Sequence, residues 1–404
     1  MTEKVRLAAL QALFAWLHLA LTAPSVYLWL GLPLLMRQQG WSGVQIGLFQ
    51  LAGLPAVAKF LLARPVERGQ HRYRAWGVGL CLALAAVLVL LGWANLLASP
   101  AQLFALAFAA ALLATWADIP VNALAIRHLP AGEQLRAGAL RSAALSLGAI
   151  AGGGLMLLVQ LRWGWRAPFW VLAGMLVLGA ALLWRLKSGP ATGRETRVPA
   201  SLRQDWRGYI AQPGARGWTL LLVLYFPFVG TAWFYLKPLL LDLGFDAQRV
   251  AQVAGVGGGV AAAAASLAAA RLARRIGLRR AVPVGAWLGC ASLAALALVA
   301  ALRLPAAAVF AAAAGVAIAM GYIAALAFAL TMHFARPQAA AADYGVQSSL
   351  FALSRMLVPA GGGWLLDRAG YAGLLTGLAA AMLGVYLLCM RQAAMLPGQG
   401  FQKE

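Results

Sequence analysis

Runs of about 20 predominantly apolar residues return along the whole length of the 404-residue chain, and this recurrence limits the fold more than any other feature. Each run is long enough to cross the hydrocarbon of a bilayer as a helix. Lipid offers no water to backbone N–H and C=O groups, so each run must close its hydrogen bonds internally. With 63% hydrophobic and 11% charged residues, the chain falls outside the soluble globular classes. Polar punctuation cuts it into twelve helices, at roughly 9–35, 44–63, 75–97, 102–126, 138–160, 168–186, 218–241, 248–270, 281–302, 306–332, 344–366 and 371–390. The opening stretch MTEKVRLAALQALFAWLHLALTAP has a basic start but no small-x-small cleavage pattern. Its apolar run continues past Thr22, so it reads as the first span rather than a leader.

The net charge of +22 would suit a nucleic-acid partner, but its distribution points elsewhere. Arg64, Arg68, Arg72, Arg74, Arg127, Arg136, Arg271, Arg274, Arg275, Arg279, Arg280 and Arg336 fall in one alternating set of loops. Both ends of the chain and its central segment belong to that set. The opposite set holds only Arg37, Arg162, Arg166, Arg303 and Arg368. Basic loops stay on the cytoplasmic side of bacterial inner membranes, so a multi-pass protein with both termini in the cytoplasm is expected. Anionic lipid headgroups are then the partner of the basic loops, and nucleic acid is not.

One long polar connection, SGPATGRETRVPASLRQDWRGYIAQPGAR, divides the chain into an N-terminal six-helix bundle (1–186), a cytoplasmic linker (187–217) and a C-terminal six-helix bundle (218–404). The halves echo each other. VERGQHRYR (66–74) follows the second helix and LARRIGLRR (272–280) follows the eighth. LRSAALSLGAIAGGGLMLLVQLRWGW (140–165) aligns with VQSSLFALSRMLVPAGGGWLLDRAGY (346–371), with a three-residue slip at the triple glycine. Twelve spans in two parallel six-helix repeats resemble the major facilitator architecture, an all-α membrane fold. The basic loop with Glu67 resembles the signature of that superfamily; in the second copy Arg274 stands where the acid would be.

An ionisable side chain in hydrocarbon costs several kcal/mol unless it faces protein or a wet cavity, so the few intramembrane charges form the list of candidate site residues. They are Asp118 on the fourth helix, Lys59 on the second, Arg141 on the fifth, Lys237 on the seventh and Arg355 on the eleventh, with His18 on the first. Thr115, Asp118 and Asn122 stand at i, i+3 and i+7, on one helix face. Pro120 removes a backbone donor between them. Asp118 is expected to carry the coupling proton, or else to sit in a fixed ion pair with Lys59 or Arg141. Arg355 is too deep to reach the interface and is expected to hold an anion, with Lys59 and Arg141 as further cations. Arg141 and Lys237, nearer the membrane faces, can snorkel. Cations outnumber the acid, so an anionic ligand is favoured.

Rings add to this list. Trp116, Tyr225, Trp233 and Tyr322 lie on the fourth, seventh and tenth helices, which line the cavity in the architecture this chain resembles. The cluster FPFVGTAWFY on the seventh helix is dense enough for some rings to face substrate. The triplets in AGGGL, GVGGGV and AGGGW follow no strand and end in no Lys-Ser or Lys-Thr, so they read as close helix packing rather than phosphate loops. Cys81, Cys290 and Cys389 lie in apolar runs without CxxC spacing, and the four histidines have no ligand spacing. No metal site, no cofactor and no enzyme constellation is expected.

The residues of several motifs together resemble the AmpG-like permeases. GLPLLMRQQGWSGVQIGLFQLAGLPAVAKFLLARPVER matches their first two helices. Their Asp-Ile-Ala-x-Asp-Ala appears as Asp118, Ile119, Pro120, Val121, Asn122 and Ala123. Tyr344, Ser348, Ser349, Leu350, Arg355, Gly363 and Trp364 match their eleventh-helix pattern. Asn122 replaces the family's second aspartate, so a relay between two carboxylates is not implied. The chain lacks the two further helices of the larger muropeptide permeases and resembles the compact RhtX/FptX-type siderophore permeases more closely. The resemblance implies a single-chain importer, driven by protons through alternating access, for a small aromatic siderophore or its ferric complex. Muropeptide import, or drug export, is the alternative. A muropeptide presents many groups that need partners on desolvation, whereas asparagine occurs here only at Asn95 and Asn122; this favours the siderophore.

Overall fold

The computed structural model describes residues 3–392 apart from 42–44, 46–47, 50, 69–71, 94–95, 187–201 and 303. The first part of the expected linker (187–201), the middle of the first basic loop and parts of the start of the second span therefore lie outside the described residues. Among the described residues ten helical stretches are long and apolar enough to cross a membrane, and with the shorter, ten-residue α2 the helices follow in chain order: α1 (Glu3–Gly31), α2 (Lys59–Arg68), α3 (Tyr73–Trp93), α4 (Pro100–His128), α5 (Gln134–Trp163), α6 (Arg166–Trp184), α7 (Ala215–Asp242), α8 (Gln252–Ile276), α9 (Leu278–Leu302) and α10 (Ala306–His333). A final stretch, Pro337–Gln392, breaks at Gly370 into α11 (337–369) and α12 (371–392). A 3₁₀ segment, Leu51–Ala58, leads into α2. The architecture is all-α, as the apolar periodicity requires.

Positive-φ glycines make the sharpest turns. Gly164 (φ 80°) separates α5 from α6, Gly277 (φ 79°) separates α8 from α9, and Gly370 (φ 64°) separates α11 from α12. A side chain is strained in that backbone region, so glycine lets two helices meet with almost no loop. Gly164 and Gly370 hold corresponding places in the two sequence echoes, so the repeat is carried in the backbone as well as in the letters. Trp93, Trp163 and Trp184 are exposed at the last residues of α3, α5 and α6, where an amphipathic ring suits a membrane interface.

The helices gather into two compact units that exchange pieces of the sequence halves. Unit 1 holds 1–130 and 147–206 together with 335–349, the first turns of α11. Unit 2 holds 207–334 and 350–404 together with 131–146, the first turns of α5. In unit 1, a methyl group on Gly152 would meet the Ala23 carbonyl oxygen and the Tyr27 nitrogen, so α1 and α5 touch backbone to backbone. In unit 2, a methyl group on Gly138 would come within 2.6 Å of Ala325 O and Ala329 N, which seats the start of α5 on α10. Ser266 Oγ donates to Gly321 O at 3.0 Å beside that contact. Small residues allow such approaches, and van der Waals contact then replaces the hydrophobic drive that is missing in lipid.

Candidate functional site

In unit 1 the candidate site is built on the polar face of α4. The 3.6-residue period stacks Asp118 and Asn122 one turn apart, and the Asn122 amide donates to Asp118 Oδ1 at 2.9 Å and to the Asp118 carbonyl at 2.6 Å. From α2, Lys59 Nζ reaches Asp118 Oδ2 at 2.6 Å. From the first turns of α11, the Tyr344 hydroxyl donates to the same oxygen at 2.5 Å. His18 Nδ1 on α1 lies 3.8 Å from Oδ1. Lys59 Nζ also stands 5.6 Å from the Tyr344 ring centroid. Asp118 and Lys59 keep 14% and 15% of their side-chain surface open, so the pair is sheltered from solvent but not sealed. Four helices thus converge on one carboxylate. Of the two cations expected as its partner, Lys59 holds that place, and Arg141 belongs to unit 2.

The docking of 335–349 explains how Tyr344 reaches Asp118. Glu67 Oε2, at the end of α2, accepts the backbone N–H groups of Ala341 and Ala342 at 2.8 and 2.9 Å and the Tyr73 hydroxyl at 3.0 Å. Those N–H groups belong to the first α-helical turn, which opens at Ala340 after the short 3₁₀ segment Pro337–Ala339, and the helix dipole there favours an anion. Asp343 accepts from Arg336 Nε and Nη2 at 2.8 and 2.7 Å. Gly345 lies against Ala63, and Ser349 Oγ accepts the Phe60 N–H at 3.0 Å, where the 3₁₀ lead passes into α2.

Unit 2 carries its own cationic row. Arg355 Cζ lies 5.4 Å from the Phe226 centroid and 5.6 Å from that of Phe351. Phe226 and Phe351 are 5.2 Å apart, and Phe351 and Phe328 are 6.1 Å apart. Arg141 Cζ closes the row 4.3 Å from the Phe328 centroid. Arg141 is buried, so the expectation that it snorkels is corrected: the ring holds it inside the unit. Arg355 is exposed and forms no ion pair among the described residues.

Of the other expected rings, Tyr225 and Tyr322 meet beside Gly285. Trp116 packs on Trp76 of α3, with centroids 5.6 Å apart. It is two residues from Asp118, which turns it about 200° around the helix and off the polar face. Tyr225 is fully buried and its hydroxyl donates to Val282 O at 2.8 Å. Tyr322 is buried and donates to Ala281 O at 3.2 Å. Trp116, Tyr225 and Tyr322 each make these contacts within their own unit. Trp233 is half-buried with its ring where a Gly258 side chain would stand. Lys237 is exposed on α7. Tyr344, Phe226, Phe328 and Phe351 are the residues that charge-based reasoning passed over. The i, i+4 spacing of Phe351 and Arg355 was a usable signal.

Comparison with known proteins agrees with this architecture. A model of the Major Facilitator Superfamily matches residues 10–359. The anhydromuropeptide permease of Escherichia coli K12 is 27% identical over 382 residues, covering 89% of this chain and 76% of the relative. Among solved structures, the Escherichia coli fucose:proton symporter superposes with a TM-score of 0.74 at 16% identity, over 96% of this chain and 98% of that one. The human organic anion transporter TETRAN superposes with a TM-score of 0.77 at 16% identity, over 96% and 100%. At such identities the solved structures speak for the fold alone.

Proposed function

The chain belongs to the Major Facilitator Superfamily, and we propose that it is a proton-coupled inner-membrane permease importing carboxylate-bearing solutes of the anhydromuropeptide class. The single observation that carries the reading is the sheltered Lys59–Asp118 pair, with Lys59 Nζ 2.6 Å from the carboxylate. A proton on Asp118 removes its charge and releases Lys59 to hold a carboxylate of the solute. One proton and one carboxylate then enter together, and the total charge of the group is unchanged. Arg355 supplies a second cation in unit 2. The permease relative supports the muropeptide class over the siderophore class that the sequence chemistry favoured. The basic alternate loops support cytoplasmic termini and contact with anionic lipid. A single chain suffices for this chemistry.

Import of an aromatic siderophore, or its ferric complex, is the second reading. The rings beside Arg355 and the scarcity of amides support it. Proteoliposomes separate the two. Labelled anhydromuropeptide is expected to accumulate only with an inward proton gradient, while labelled aromatic siderophore does not. Accumulation of the siderophore alone reverses the assignment, and gradient-independent uptake of both removes the proton role.

A further inference from the structure

We propose that Arg355, Phe226 and Phe351 form a subsite in unit 2 for a carboxylate carried on a flat body, either an aromatic ring or a peptide plane. The inference rests on the reading of the chain as an importer of anionic solutes, and adds the group by which the solute is held. A guanidinium in the middle of a membrane helix needs compensation. Contact with the two rings offsets only part of the cost of an unpaired charge. Rings also satisfy a cation without using its N–H groups. The five N–H donors of Arg355 therefore stay available, since the arginine is exposed and pairs with no carboxylate among the described residues. A carboxylate takes two parallel N–H bonds from one guanidinium, a geometry that no hydroxyl or amide reproduces.

The rings select what the carboxylate is attached to. Phe226 is buried and backs the guanidinium, so a planar group in line with the bound carboxylate lies along the half-buried Phe351, whereas a compact hydrophilic anion leaves that face uncovered. Arg141, at the far end of the phenylalanine row, adds positive potential without an intervening acid in the row. The subsite therefore discriminates by charge and by flatness, and both a peptide terminus and an aromatic acid meet the requirement.

Calorimetric titration of the full chain in detergent micelles tests this with three probes: hippurate, which joins a ring, an amide plane and a carboxylate; hippuramide, which lacks the charge; and acetate, which lacks the plane. Hippurate is expected to bind at least about tenfold more tightly than either of the others. Arg355→Gln is expected to erase the preference. Arg355→Lys, which keeps the charge but not the planar fork, is expected to lose most of it, and Phe351→Leu to weaken hippurate by about three- to tenfold. Should the glutamine variant not fold by size-exclusion profile, the lysine and leucine variants carry the test. Equal affinity for hippurate and hippuramide, or an unchanged preference in Arg355→Lys and Phe351→Leu, overturns the subsite. Displacement of hippurate by anhydromuropeptide or by an aromatic siderophore identifies the source of the carboxylate, and displacement by neither overturns the link to transport. The titration uses no proton gradient, so its failure leaves the coupling at Asp118 standing, and failure of gradient-driven uptake leaves the subsite standing.

Discussion

Tyr344 donates its hydroxyl to Asp118 Oδ2 at 2.5 Å, across 226 positions of sequence. The carboxylate proposed to carry the proton is therefore held by the same turns of α11 that Glu67 caps. Replacing Tyr344 by Phe removes one charge-assisted hydrogen bond and keeps the ring. The expected loss is about 1.5–3 kcal/mol of stability, read as a lower unfolding midpoint in detergent. Gradient-driven uptake should survive in Tyr344→Phe at reduced rate. An unchanged midpoint would mean that the hydroxyl contributes nothing to docking.

Asp118→Asn tests the proton role directly. The amide cannot release a proton, yet its oxygen still accepts from Lys59 and Tyr344. Accumulation against a gradient is expected to vanish, while exchange of labelled for unlabelled solute continues. Intact accumulation in Asp118→Asn would remove Asp118 from coupling.

The pairing of Lys59 with Asp118 predicts non-additive mutants. Removing one member leaves the other charged and sheltered, which costs more than removing both. Lys59→Gln alone is expected to destabilise by roughly 2–4 kcal/mol, and the double variant Lys59→Gln with Asp118→Asn to recover a large part of that. Thermal unfolding of the four proteins of the cycle gives the coupling. Additive losses would show that the two side chains do not depend on each other.

Glu67 predicts a local effect. Glu67→Gln keeps the shape but turns two charge-assisted bonds to Ala341 and Ala342 into neutral ones, a loss of about 1–2 kcal/mol. Backbone amides in 335–349 are expected to exchange hydrogen faster, with α8 and α9 unaffected. Equal exchange throughout would show that the glutamate does not hold this segment.

The spans and charged candidates were legible because bilayer thickness sets helix length and because charge in lipid is rare enough to stand out. Lys59 was legible as a partner of Asp118, since few cations lie deep in the chain. Three kinds of information were not. The exchange of 335–349 into unit 1 depends on which helix end receives Glu67, and the internal repeat points instead to whole halves. Trp116 shares α4 with Asp118 but stands about 200° around it, and its contact with Trp76 follows from that angle rather than from the helix. The hydroxyls of Tyr225 and Tyr322 end on Val282 and Ala281. That destination depends on contacts between helices far apart in sequence.

The glycine triplet in AGGGL separates packing from composition, because its members meet different surroundings. A methyl group at Gly152 would press on the Ala23 carbonyl oxygen and the Tyr27 nitrogen, which are backbone atoms and cannot swing aside. At Gly154, two residues on, an added methyl group meets nothing within 4 Å. Gly152→Ala is expected to lose about 1–3 kcal/mol through forced separation of α1 and α5. Gly154→Ala should be neutral or gain up to about 1 kcal/mol, since alanine is the better helix former in a backbone conformation both residues adopt. Unfolding midpoints of the two variants measure the difference. Equal midpoints would mean that α1 and α5 do not touch at this place, and the close backbone contact of unit 1 would have to be abandoned.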